Sequence, residues 1–428
     1  MKLPLRAAAV LAVAAVNFGC ARPGAPSGGV RDVRPPVVIS TEPAPSSTVE
    51  DPGTVIRFRF NERISERPRQ GTLDEAVLVS PRVGVVRVKH GSDALDVSVE
   101  GGLRPDLVYR FTLLPVIADL FGNAMRDPFE VVVSTGAPLI EDALAGQVLD
   151  RITGRAVPNA EVQLVPPSPT PDTVLHVARS DQNGLFAFRY IPAGSYSLVA
   201  FLDRNRNLAP DPVEPRGLQG VRMNTRDTLF SDVVILEPDT SRAQLLRGEV
   251  VDSVTLRLTF SDYLDPDPQS MGQIAISVEA PEGLPIPSVT RVIHPITWEA
   301  QRDSARTRAA AAAGPSSRLP TPGATLTAPG QERGGLPRGV PLPRQDVIVA
   351  LGSPLEPSVP YRVAATGAVN LNEIAFGGGE TTVTRTPTPP PAQSAAQGAE
   401  PAVPGAEPAA VPDPVAPAPD SSVVAPPR

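Results

Sequence analysis

The chain has 428 residues, of which 39 are basic and 46 acidic, and its formal net charge is −7. Nucleic acid is therefore excluded as an expected partner, since no basic excess offsets phosphate charge. Aromatic residues make up only 4% of the chain and there are 53 prolines, which favours short strands and turns over a large helical core. A single cysteine excludes an intramolecular disulfide framework.

The first segment has the pattern of an export signal. Lys2 and Arg6 are followed by an uninterrupted apolar run over residues 7–16, and a small residue stands before Cys20. A charged lead, a short apolar core and a small-residue exit predict a signal peptide over residues 1–19. The apolar run is too short to be a membrane span.

Cys20 at this exit resembles the lipobox of bacterial lipoproteins, whose cysteine is released by cleavage and then acylated. Asn17 and Phe18 depart from the usual lipobox, so an ordinary signal peptide that contains a cysteine is the alternative. The resemblance implies that acyl chains on Cys20 hold the protein in a membrane. Ala21, in place of the aspartate that retains lipoproteins at the inner membrane, implies the outer membrane. Residues 20–33 are predicted to form a flexible tether.

Residues 34–136, called module 1 below, carry about seven short apolar segments separated by glycine, proline or aspartate. This spacing predicts a β-sandwich. In the strictly alternating segment 55–60, Ile56, Phe58 and Phe60 fall on one face and are predicted to be core.

Two further patterns in module 1 point to a family. Residues 103–109 read Leu-x-Pro-x-x-x-Tyr, and residues 119–123 read Asp-x-x-Gly-Asn. With the alternating strand, they resemble the bacterial Ig-like domain of S-layer proteins and surface lipoproteins. Tyr109 is predicted to bury its ring while its hydroxyl group finds a backbone partner.

Residues 142–238, module 2, are predicted to be a smaller β-domain. An opening Gly-x-Val, then Pro-x-Ala-x-Val, then Ser-Asp-x-x-Gly-x-Phe-x-Phe and Ile-Pro-x-Gly-x-Tyr follow in order. These patterns resemble the carboxypeptidase regulatory-like (transthyretin-like) domain, which implies a non-catalytic folding or binding module. Gly184 is predicted to close a tight hairpin turn that starts at Asp181.

Residues 250–385, module 3, echo module 1. Residues 254–261 alternate as residues 55–61 do, and residues 355–361 repeat the Leu-x-Pro-x-x-x-Tyr pattern. We therefore predict a second, diverged Ig-like copy. The alternative is that the two modules are unrelated and their segments look alike only because sandwich strands in general alternate in this way.

Two segments of low complexity accompany module 3. Residues 302–345 are rich in Ala, Pro, Gly and Arg, and they are predicted to form a disordered insert. Residues 386–428 are predicted to form a disordered Pro/Ala-rich tail. The predicted fold class is therefore all-β, with tandem β-sandwich modules, an irregular insert and an irregular tail.

One segment has metal-ligand spacing. Oxygen-bearing residues occupy loop positions 1, 3, 5, 9 and 12, namely Asp203, Asn205, Asn207, Asp211 and Glu214. This spacing is that of a Ca²⁺ loop with a bidentate glutamate at its end. Leu208 stands where glycine should make the sharp turn, and positive φ there costs about 1–2 kcal/mol. A plain Asn/Asp-rich turn is the alternative.

The sequence predicts no catalytic residues. It contains no Gly-x-Ser-x-Gly elbow, no His-Glu-x-x-His helix and no phosphate-binding loop, and its three histidines are far apart in the chain. We therefore expect a non-enzymatic, lipid-anchored cell-envelope protein whose β-sandwich modules bind or adhere to an envelope protein or a glycan. The alternative is an accessory carbohydrate- or peptide-binding component of an envelope hydrolase or transport system.

Overall fold

Alternating apolar residues in module 1 form the two sheets of a sandwich, with strand orders β1-β3-β6-β5 and β2-β8-β7-β4. The inward residues Ile56, Phe58 and Phe60 are buried, as predicted. The strands are β1 (Val38–Glu42), β2 (Ser47–Thr48), β3 (Ile56–Phe60), β4 (Val77–Ser80), β5 (Val86–His90), β6 (Ala94–Val99), β7 (Val108–Leu113) and β8 (Phe129–Ser134).

Module 2 also has two sheets, β11-β10-β13-β14 and β12-β9-β15, and β16 pairs with β9 as well. The strands are β9 (Ala143–Asp150), β10 (Glu161–Val165), β11 (His176–Arg179), β12 (Leu185–Arg189), β13 (Gly194–Phe201), β14 (Arg216–Met223), β15 (Thr228–Phe230) and β16 (Val233–Ile235). The predicted turn forms: Asp181 Oδ1 accepts from Asn183 N and Leu185 N at 2.8 Å each. Gly184 has φ +71°, and a Cβ there would lie 2.9 Å from the carbonyl oxygen of Val148.

Module 3 has the sheets β17-β18-β21-β20 and β19-β22-β23. Its elements are β17 (Leu245–Asp252), β18 (Thr255–Leu264), α1 (Pro268–Gly272), β19 (Ala275–Glu279), β20 (Val289–Ile293), α2 (Pro295–Ala312), β21 (Arg344–Leu351), β22 (Pro360–Ala368) and β23 (Gly377–Thr384). The first of these sheets has the strand order of the sheet β1-β3-β6-β5 in module 1: β17 corresponds to β1, β18 to β3, β20 to β5 and β21 to β6. These two four-stranded sheets therefore share one topology, whereas the second sheet has four strands in module 1 and three in module 3.

The shared topology extends to single hydrogen bonds. Tyr109 and Tyr361 are fully buried, and each hydroxyl accepts from the backbone N–H five residues earlier, at 2.7 and 3.1 Å. Asp119 and Asn370 each use Oδ1 to accept from the N–H groups two and four residues later. These paired contacts make modules 1 and 3 alike beyond the strand pattern that any sandwich shows.

The structure differs from the sequence prediction at the edges of module 3. β17 begins at Leu245, before the predicted boundary, because this strand is largely exposed and its apolar signal is weak. The predicted insert begins inside α2, since alanine and arginine are good helix formers. Its end overlaps β21, which starts at Arg344.

This computed structural model describes residues 32–170, 173–312, 336 and 340–387. Cys20, the predicted signal peptide and most of the predicted tether lie outside the described residues, as do most of the insert and nearly all of the tail. All three modules belong to one unit that ends at Arg385. Among the described residues, no helix is long and apolar enough to cross a membrane.

Candidate functional site

Modules 1 and 2 meet where two sheet edges touch. Strand β4 ends one sheet of module 1 and β11 ends one sheet of module 2. The N–H of Arg82 donates to the carbonyl of Leu175 at 2.8 Å, and the N–H of Val177 donates to Ser80 Oγ at 3.0 Å. The two modules are thus joined by directional bonds that set their relative position.

A buried carboxylate lies at the centre of this junction. Glu161 on β10 is 1% exposed, and one of its oxygens forms an ion pair with the guanidinium of Arg82 from module 1. Its other oxygen has no hydrogen-bond donor and lies 3.7 Å from Arg179 Nη2. A carboxylate out of water needs such cations, because its desolvation costs several kcal/mol.

A second charged group crosses the junction from module 1. Arg110 on β7 is 6% exposed, donates to the carbonyl of Ala187 on β12 at 2.9 Å, and lies 3.6 Å from Glu130. Burial lowers the pKa of Arg110. His176 on β11 is also buried, and its burial together with the charge of Arg110 lowers its pKa to about 4. The imidazole of His176 is therefore neutral near pH 7.

Beside the junction opens a cleft of about 1,980 Å³, which we call the intermodule cleft. Strands β7 and β8 line one side, and β9, β12 and the loop after β13 line the other. Phe230 of β15 also lines the cleft and is 78% exposed. Both basic and acidic residues line the wall: Arg69, Arg110, Arg126, Arg179, Arg189, Arg206, Glu75, Asp127, Glu130, Glu161, Asp181, Asp203 and Asp232.

The composition of this wall decides what the intermodule cleft can bind. Guanidinium groups donate hydrogen bonds, carboxylates accept them, and the ring of Phe230 offers an apolar face. Because both charges are present in similar number, the wall favours a polar ligand of low net charge over a polyanion.

The predicted Ca²⁺ loop lies at the rim of the cleft. Asp211 Oδ2 accepts from the side-chain amides of Asn205 and Asn207, the latter at 3.0 Å. Asp203 accepts from the N–H of Asn207 at 3.1 Å. Glu214 is 2% exposed and accepts from the N–H of Arg204 at 2.7 Å. The structure thus brings the five predicted ligands into one loop, in which amide and backbone donors already bind the carboxylates. Calcium binding stays a prediction.

The same loop connects the modules. Leu208 has φ +60°, the conformation in which the sequence predicted strain. Its carbonyl oxygen accepts from Gln163 Nε2 at 2.9 Å and from Arg82 Nη1 at 3.3 Å. Arg206 of the loop lies 3.5 Å from Glu75 of module 1. The positive φ of Leu208 therefore directs its carbonyl group toward the junction.

An acidic group that the sequence did not predict combines two residues of module 1 with Asp32, which precedes the predicted start of that module. Carboxylate oxygens of Asp32, Glu62 and Asp119 lie within 4.8 Å of one another. Burial, and then the charges of Asp119 and Asp32, raise the pKa of Glu62. In module 3, Asn370 replaces the aspartate and donates its amide to Asp262 at 2.8 Å. Module 3 thus has an amide donor where module 1 has a third carboxylate.

The junction residues were also missed by sequence reasoning. Glu161 and Gln163 alternate with apolar residues in β10, which is the pattern of a strand with one solvated face. Here module 1 covers that face. A polar residue on it looks the same in the sequence whether water or another module lies above it.

Comparison with known families agrees with the first two modules. Residues 32–135 match the bacterial Ig-like domain family, and residues 143–211 match the carboxypeptidase regulatory-like domain family. These matches confirm the two predicted family resemblances, one for module 1 and one for module 2. No curated protein matches the chain.

Several solved structures are similar to parts of the chain. A candidate carbohydrate-binding protein from Pseudomonas aeruginosa is 16% identical, with 22% of this chain and 89% of that chain covered and a TM-score of 0.18. The major pilin subunit of Bacillus cereus is 12% identical, with 47% and 71% covered and a TM-score of 0.18. An L,D-transpeptidase from Mycobacterium smegmatis is 13% identical, with 48% and 90% covered and a TM-score of 0.18.

Proposed function

We propose that this chain is a non-enzymatic, lipid-anchored protein of the bacterial outer membrane that binds an envelope glycan or protein in the intermodule cleft. The observation that carries the proposal is the cleft itself, about 1,980 Å³ in volume, with both charges and an exposed aromatic ring on its wall. Concave sites with a few convergent polar groups are the usual places where proteins bind ligands.

Rigidity supports this assignment. The cleft is built beside a junction that holds Glu161 between Arg82 and Arg179, and Arg110 of module 1 donates across it to the carbonyl of Ala187. A wall that is fixed before binding loses little conformational freedom when a ligand enters. The junction therefore favours binding over a merely passive spacer role.

Anchoring rests on the sequence pattern around Cys20. One acyl chain binds a membrane marginally and two bind it stably, so acylation of this cysteine needs no membrane helix. A flexible tether over residues 20–33, as the sequence predicts, would lift module 1 away from the surface and leave the cleft accessible to other envelope components.

An accessory role in an envelope hydrolase or transport system is the second candidate, and the cleft favours it specifically. The exposed ring of Phe230 between hydrogen-bonding side chains suits a saccharide, which has both apolar ring faces and hydroxyl groups. Phe188 is a buried core residue, and Phe186 lines the cleft but is only 4% exposed, so Phe230 offers the accessible ring.

The first experiment tests the anchor. Cells that express the wild type or Cys20→Ala are labelled with a fatty-acid analogue and fractionated. Wild type should carry the label and sediment with the outer membrane, and the variant should lose both properties. Unlabelled wild-type protein that is freely released from the membrane would refute the anchor.

The second experiment tests the cleft. The purified chain is applied to an array of bacterial envelope glycans and to a detergent extract of envelope proteins. Phe230→Ala and Arg189→Ala should lose the captured ligand. Phe376→Ala is the matched control, because this ring is 80% exposed in module 3, away from the cleft lining. Equal capture by Phe230→Ala and Phe376→Ala, or no capture at all, would refute the cleft as the binding site.

A further inference from the structure

The sheet β11-β10-β13-β14 of module 2 has two edges with different environments. The edge formed by β11 meets module 1 through the bonds of Arg82 and Val177. The edge formed by β14 pairs with β13 along its whole length, from Gly194↔Met223 to Phe201↔Arg216. On its other side, among the described residues, β14 is bridged only at its first residue.

That single bridge shows which backbone groups face outward. Arg216 exchanges both of its backbone hydrogen bonds with Leu236, at 3.1 Å each, on the side away from β13. In an antiparallel ladder every second residue points the same way, so Leu218, Gly220 and Arg222 also direct N–H and C=O outward. The carbonyl of Gly220 accepts from Gln219 Nε2 at 3.2 Å. The remaining outward groups have no protein partner among the described residues.

The side chains on this edge define the occupant. Val221 and Met223 are buried, so the alternate residues face solvent, and Leu218 is 69% exposed. Arg216 and Arg222 are exposed and have no ion-pair partner among the described residues. The edge thus presents free hydrogen-bonding groups and one apolar side chain between two uncompensated cations.

From this arrangement we infer that β14 binds an extended acidic segment of a partner protein by strand addition. The segment pairs with the outward groups of Leu218 and Arg222, and its carboxylates lie beside Arg216 and Arg222. Charge complementarity selects this occupant over a second copy of the chain. Pairing of two β14 edges would place four arginines in one short ladder, where like charges repel.

The test uses the purified chain with Cys20→Ala, and fluorescence anisotropy with two labelled octapeptides. One peptide alternates valine with glutamate and the other alternates valine with lysine. The glutamate peptide should bind saturably and the lysine peptide should not. Arg222→Glu should weaken binding of the glutamate peptide at least about tenfold, which is about 1.4 kcal/mol. Arg291→Glu, an exposed arginine on β20, is the matched control and should bind like wild type.

A second variant separates strand addition from simple charge attraction. Leu218→Pro removes one outward N–H but leaves the bonds between β13 and β14, because proline is tolerated on an exposed edge. This variant should keep its unfolding temperature and lose binding of the glutamate peptide. The proposal would be overturned by any of three results: wild-type affinity of Leu218→Pro for the glutamate peptide, equal binding of the two peptides, or binding of the glutamate peptide that does not saturate by about 1 mM. So would dimerisation of the wild type that Leu218→Pro abolishes, since a second copy would then occupy the edge.

Discussion

Removal of the Arg82 side chain should destabilise the junction of modules 1 and 2 far more than removal of an exposed arginine. Arg82→Leu leaves Glu161, which is 1% exposed, with Arg179 at 3.7 Å as its remaining cation. It also removes the 3.3 Å donor to the Leu208 carbonyl, which keeps Gln163 Nε2 at 2.9 Å.

The magnitude follows from what stays buried. Breaking a buried ion pair by removal of one partner costs about 3–5 kcal/mol, because the other charge is left without compensation. Since Arg179 still faces the second oxygen of Glu161, we expect a value near the low end, about 3 kcal/mol. The double variant Arg82→Leu with Glu161→Leu should recover most of this loss, because the buried carboxylate is then gone and the Arg179 side chain, 27% exposed, stays in contact with water.

The assay is urea unfolding of the full chain in a Cys20→Ala background, followed by intrinsic fluorescence and by hydrogen exchange of β4 and β11. Arg57→Leu is the control, since Arg57 pairs with Asp96 on an exposed sheet face. We expect its effect to be much smaller, because surface pairs contribute little. A loss below about 1 kcal/mol in Arg82→Leu, or a double variant as unstable as the single one, would refute this account of the junction.

Three further outcomes are expected. Burial lowers the pKa of His176 from 6.5 to about 4, so this side chain is neutral in the folded protein near pH 7. The free energy of unfolding should therefore decrease as the pH falls below 6.5 and level off below pH 4, with a total loss of about 3 kcal/mol. Calorimetry across this pH range should show no such decrease in His176→Gln. Tyr109→Phe and Tyr361→Phe should each lower the free energy of unfolding by about 1 kcal/mol, because each leaves a backbone N–H without its acceptor; unequal effects in denaturant titrations would show that modules 1 and 3 do not use this bond alike. If the loop that ends in Glu214 binds Ca²⁺, millimolar Ca²⁺ should raise the unfolding temperature of the wild type and not of Glu214→Gln; an equal shift in both would refute a calcium site there.

The strands, their core faces and a few short-range contacts could be predicted, because each depends on residues close together in the chain. The alternation around Phe58 places it in the core, and Gly184 closes a turn that few other residues adopt. Tyr109 and Tyr361 share a spacing because each hydroxyl reaches a backbone group only five residues away. Such contacts leave a pattern in the sequence itself.

The junction could not be predicted because its contacts are far apart in the chain. Arg82 and Glu161 are separated by 79 positions, and no pattern in the sequence links them. The φ of Leu208 illustrates the same limit. The sequence indicated that an apolar residue there is strained, but the carbonyl contacts that use this conformation depend on where module 1 lies.

The position of β21 has a consequence for a chain that has been cut. This strand lies between β18 and β20, so hydrogen bonds hold it on both sides. A protease that cleaves the connection between α2 and β21 would leave the two fragments hydrogen-bonded to each other in one sheet. The nicked protein should run as two bands on a denaturing gel and elute as one species on gel filtration, with its third module still assembled.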